Sequence, residues 1–84
     1  MSTKIVEMSP AQCRAGRALL EMTQTRLAEI AGLGLSTIVD FERSRRTISP
    51  DAEAAILRAL EAAGVDFTNG EQPGVRLRKG KPNG

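Results

Sequence analysis

Three features of the sequence predict a mainly α-helical fold that ends in a short β-hairpin or extended tail. Two Ser-Pro steps, Ser9-Pro10 and Ser49-Pro50, mark helix starts; apolar residues recur at helical spacing up to Ala63; beyond Gly64 the pattern turns to alternation. At 84 residues the chain has room for one small domain. Residues 1–8 read as a lead-in, 9–64 as a helical domain of four or five helices, 65–78 as short strands that are a candidate dimerisation element, and 79–84 as a flexible basic tail.

The first helix is expected over residues 10–21. Ser9 is placed to accept from a first-turn amide, Pro10 sits where no donor is needed, and Gln12 is the third-position partner of a capping box. Met8 and Cys13 are spaced as a hydrophobic staple, and Cys13, Leu19 or Leu20, and Met22 are the candidate core residues. Gly16 weakens this helix by up to about 1 kcal/mol relative to alanine. Thr23 caps a second helix over roughly 24–31, which presents Leu27, Ala28 and Ala31 and stops at Gly32. The third, 35–43, places Ile38 and Phe41 on one side and Ser36, Val39, Asp40 and Arg43 on the other. The fourth starts at Ser49-Pro50-Asp51, buries Ile56, Leu57 and Leu60, and ends near Ala63 before Gly64. Val65–Thr68 and Val75–Arg78 then read as two strands joined by a six-residue loop.

Composition removes several function classes. Histidine is absent and Cys13 is the only cysteine, so no disulfide forms within the chain and neither a zinc site nor a histidine-based triad is expected. With aromatic residues at 2% there is no stacking platform for single-stranded nucleic acid. No apolar run approaches the roughly 20 residues of a membrane span, and no signal-peptide core follows Met1. No enzyme, metal or cofactor is therefore expected. A lone thiol suits a reducing cytoplasm, where Cys13 reads as a small core hydrophobe, with redox sensing as the alternative. Net charge is only +2, but Arg43, Arg45 and Arg46 cluster in four residues and residues 65–84 carry four basic against two acidic side chains. Either cluster suits phosphate or a plain solvated surface. The basic stretch Val75–Lys79 is compatible with a DNA-tracking arm, dimer pairing or a soluble end.

The informative stretch is 24–43: two short helices joined by a three-residue turn containing glycine. Such a pair needs a small residue where the helices cross (Ala28), a residue that turns without side-chain penalty (Gly32), and a wedge between them (Ile38), over a floor of Leu27, Ala31, Leu33 and Phe41. This is the arrangement of a DNA-binding helix-turn-helix.

The residues Met22-Thr23-Gln24, Leu27-Ala28, Gly32, Ser36-Thr37-Ile38, Phe41-Glu42-Arg43 and Arg45-Arg46, at these spacings, resemble the Cro/C1-type helix-turn-helix family, also called the XRE family, over about residues 9–64. The resemblance implies a compact lambda-repressor-like α domain, usually dimeric, that binds palindromic operators as a repressor or dual regulator in a bacterial or phage cytoplasm. It implies that Gln24 contacts a phosphate, that Leu35, Ser36, Thr37 and Asp40 face base edges, and that Arg43, Arg45 and Arg46 lie along the DNA backbone. Arg17 and Glu42 match a pair that ties the first helix to the third. Two positions depart from the family pattern. Gly34 replaces the usual serine or threonine cap, and Leu35 replaces a polar residue, leaving apolar contact with a thymine methyl as its means of base reading.

The expected function is that of a homodimeric, sequence-specific regulator of double-stranded DNA, open to control by a regulatory protein partner. The alternative, motivated by Gly34 and Leu35, is a protein-binding antiactivator or antitoxin-like module of the same fold.

Overall fold

The computed structural model describes residues 8–69 and 72–78. Helices α1 (Pro10–Leu20), α2 (Gln24–Ala31), α3 (Leu35–Glu42) and α4 (Pro50–Ala63) are followed by strands β1 (Val65–Thr68) and β2 (Gly74–Leu77). Ser9 Oγ accepts from the Gln12 amide while Gln12 Oε1 accepts from the Ser9 amide, which completes the capping box of α1. The hydroxyls of Thr23 and Ser49 cap α2 and α4. Helix α3 starts at Gly34 with no side-chain cap.

The first three helices end by one device. The Arg17, Ala28 and Asp40 carbonyls accept from the amides of Met22, Leu33 and Arg45, five residues on. Each closure requires a left-handed residue inside it, and these are Glu21 (φ 55°), Gly32 (φ 73°) and Ser44 (φ 57°). The closures set two boundaries one residue earlier than expected. Helix α1 ends at Leu20 because Glu21 turns left-handed, and α3 ends at Glu42 because Arg43 already leaves helical geometry ahead of Ser44.

Leu27, Ile38, Ile56, Leu60, Val65 and Cys13 are fully buried, joined by Met8, Ala28, Phe41 and Ile48. Leu20 continues the Cys13–Gly16 stripe of α1 into this core, so Leu20 and not Leu19 is the core leucine; Leu19 faces out. Leu57 and Ala31 are partly rather than fully buried.

The strands pair antiparallel with Val65 opposite Leu77 and Phe67 opposite Val75, so these four share a face. That face lies on α1. A Cβ at Gly16 would sit 3.3 Å from Phe67 Cζ, so the residue that weakens α1 locally is what lets the phenyl ring approach. Gln12 Nε2 donates to the Thr68 and Gly74 carbonyls, at 2.9 Å each, and fixes the loop end of the hairpin to the first turn of α1. The second strand covers 74–77 rather than 75–78. Arg78 still donates its amide to the Gly64 carbonyl, but Gly64 (φ 123°) is the cap of α4 and not extended. The Arg78 guanidinium turns to Asp66 Oδ1 (2.7 Å) and the Glu61 carbonyl (2.6 Å). Residues 1–7, most of the lead-in, lie outside the described residues, as do Gly70 and Glu71 of the loop and the tail at 79–84.

Candidate nucleic-acid interface

Glu42, the last residue of α3, organises the helices around it. Its carboxylate is 1% exposed and accepts four hydrogen bonds: Arg17 Nη2 (2.7 Å) and Gln24 Nε2 (3.0 Å) on Oε1, Arg17 Nε (2.7 Å) and Cys13 Sγ (3.0 Å) on Oε2. Arg14 donates to the Glu42 carbonyl, and Arg17 Nη1 to the Met22 carbonyl. One buried carboxylate thus fixes α1, the start of α2 and the end of α3 relative to one another. Burial alone would push the Glu42 carboxyl up; the hydrogen bonds from Arg17, Cys13 and Gln24 and the Arg17 charge outweigh it and hold the group below its ordinary value. The Cys13 thiol is pushed far up, first by burial and then by its bond to Glu42, so it stays protonated.

Two residues gain hydrogen-bond partners here that the sequence did not indicate. Cys13 is in the core, yet it is also a hydrogen-bond donor to Glu42 rather than a purely apolar filler. Gln24, for which the resemblance implies a phosphate contact, directs its amide donor inward to Glu42 in the DNA-free chain because α2 begins beside the end of α3.

The outward side of α3 carries the candidate base readers. Leu35 opens the helix and is 45% exposed, Ser36 is exposed, and Thr37 and Asp40 are half-buried, while Ile38, Phe41 and Glu42 point into the domain. Arg43, Arg45 and Arg46 are exposed on the turn that Ser44 reverses. A shallow depression there is lined by Pro10, Phe41, Arg45, Arg46, Ile48 and Glu53, which sets the start of α1 beside the arginine turn. Asp40 does not pair with Arg43 within the helix, the alternative its spacing suggests. Arg46 Nε binds Asp40 Oδ2 at 2.8 Å, because the left-handed turn carries Arg46 back over the last turn of α3.

The hairpin's apolar alternation suggested an interface with a second copy. Most of it is used within the chain: Val65 is buried, Phe67 and Val75 pack against the core, and Leu77, at 47%, is the one left exposed. The outer face carries Asp66 between Arg76 (3.8 Å) and Arg78 (2.7 Å).

Two helices set at an angle by Gly32, braced by α1 and α4, with the second presenting an exposed polar side, define a helix-turn-helix protein. The helix-turn-helix family model matches residues 14–65, more than half of the chain, and the chain belongs to that family, the Cro/C1-type or XRE helix-turn-helix proteins. Among curated proteins no relative matches it. In general terms it is a DNA-binding transcription regulator, of a family that is typically not enzymatic. Strand β2 and Arg78 lie beyond the match, and the match gives no role to Gln12, which begins before it.

Proposed function

We propose that the protein binds double-stranded DNA as a homodimer, placing α3 of each protomer in the major groove of one half of a palindromic operator, and represses or dually regulates the genes beside it. The supporting observation is the exposed Leu35–Ser36 start of α3, held at a fixed angle by the buried Glu42 cluster and flanked by three exposed arginines. Leu35, Ser36, Thr37 and Asp40 then face base edges, with Leu35 suited to a thymine methyl. Arg43, Arg45 and Arg46 meet phosphates, and Gln24 does so by exchanging its Glu42 bond for a phosphate oxygen. Arg17 and Glu42 act as the structural ion pair behind this surface.

A single α3 reads few bases, so useful specificity needs two copies about 34 Å apart on one face of the duplex. Exposed Leu77 and the C-terminal end of α4 are the proposed contacts between copies. The setting is a bacterial or phage cytoplasm, with control through protein concentration or a regulatory protein partner. Selection of bound sequences from a random duplex pool tests this reading. An enriched inverted repeat supports it; no enrichment favours the protein-binding antiactivator or antitoxin-like role that Gly34 and Leu35 suggest.

A further inference from the structure

Asp40 is an acidic side chain on the very surface that is to meet phosphate, and it holds the arginine turn by two bonds. Its carbonyl accepts from the Arg45 amide at 2.8 Å, and its carboxylate accepts from Arg46 Nε at 2.8 Å. Arg43 and Arg45, on the same turn, make no ion pair among the described residues, so Arg46 differs from its neighbours in being held back. A half-exposed pair of this kind is weak enough to open and strong enough to bias a competition with phosphate.

We infer that Asp40 is a specificity-determining latch on Arg46. The inference rests on the proposed DNA-binding function and deepens it. In the free protein and on non-cognate DNA, the Asp40 carboxylate keeps Arg46. On a duplex that presents a hydrogen-bond donor to Asp40 in the major groove, a cytosine amino group by chemical type, the carboxylate changes partner and Arg46 is released to a phosphate. Without that donor, opening the pair strands a carboxylate in the field of the phosphates, so the latch stays closed and the duplex receives one contact fewer per protomer. A residue that is itself repelled by DNA thereby raises discrimination, because it withholds a non-specific contact until a specific one replaces it.

The test is the salt dependence of binding for the full chain and for Asp40→Asn, Arg46→Ala and the double variant, each on the inverted repeat enriched from the random pool and on a scrambled duplex. For the parent, the slope of log K against log salt should be steeper on the enriched repeat by about one unit per protomer. Asp40→Asn should raise affinity for the scrambled duplex by up to about fivefold per protomer and steepen its slope to match. Arg46→Ala should erase the slope difference, and adding Asp40→Asn to it should leave the slope on the scrambled duplex unchanged, since relieved repulsion adds no phosphate contact. A slope that steepens just as much without Arg46 is a general charge effect and overturns the latch, as does an Asp40→Asn variant with unchanged scrambled binding. A parent that binds no duplex overturns the DNA-binding reading itself; a parent that binds with equal slopes overturns the latch alone.

Discussion

Arg17 and Glu42 meet fork to fork between α1 and α3, Nε on Oε2 and Nη2 on Oε1, each at 2.7 Å. The carboxylate is buried and the guanidinium mostly so, which makes the pair costly to break from one side. Glu42→Ala should lose about 3–5 kcal/mol of folding stability by urea denaturation, since Arg17, Cys13 and Gln24 all lose an acceptor. A variant as stable as the parent contradicts the role given to this cluster.

The same cluster sets the pH profile of stability. Glu42 titrates lower in the folded chain than in the unfolded one, so its contribution is present above the ordinary glutamate value of about 4.3 and is lost as pH falls through the depressed folded value. Cys13 titrates higher when folded, so its contribution is complete below the ordinary thiol value of about 8.5 and declines as pH rises beyond it. Denaturation midpoints measured across pH should therefore form a plateau between these limits, and Cys13→Ala should remove the Cys13 part of the alkaline decline. An unchanged alkaline decline in that variant contradicts the assignment.

Much of the fold was legible because its signals are local. Ser9-Pro10, Thr23, Gly32, Ser49-Pro50 and Gly64 each act within a few residues, and each marks a real helix boundary. The left-handed turns at Glu21 and Ser44, which end α1 and α3 one residue early, were not legible, since neither residue type favours that conformation. Gly16 looked like a defect because the ring that needs the space, Phe67, is far along the chain. The helix-turn-helix itself was readable from Ala28, Gly32 and Ile38. The hairpin partners of Gln12 and the partners of Gln24 and Asp40 were not, because a polar side chain's choice between solvent, phosphate and a buried acceptor depends on packing that spacing does not encode.

Ser44→Gly and Glu21→Gly should each stabilise the chain by about 0.5–1 kcal/mol, because glycine adopts the left-handed turn without the side-chain penalty. Thermal melts check this, and a lower melting temperature for both variants contradicts the closure geometry.

Gly16→Val should cost about 1–3 kcal/mol, since a branched side chain there drives Phe67 off α1 and loosens the hairpin. The readout is urea denaturation together with amide exchange at Asp66, Arg76 and Arg78, whose amides donate across the hairpin. Wild-type protection of those amides in a stable variant contradicts the docking of the hairpin on α1.

The proposed division of labour is that α3 reads sequence while Arg43 and Arg45, on the turn after it, only position the protein. It is tested most directly by the ratio of affinities for the enriched repeat and a scrambled duplex, measured by equilibrium titration for the parent, Ser36→Ala and Arg45→Ala. Ser36→Ala should lower this ratio by about tenfold per protomer, the weight of one base contact, and Arg45→Ala should weaken both duplexes alike and leave the ratio where it was. Uniform loss for Ser36→Ala with sequence-selective loss for Arg45→Ala would contradict it, and would place the turn, not α3, against the bases.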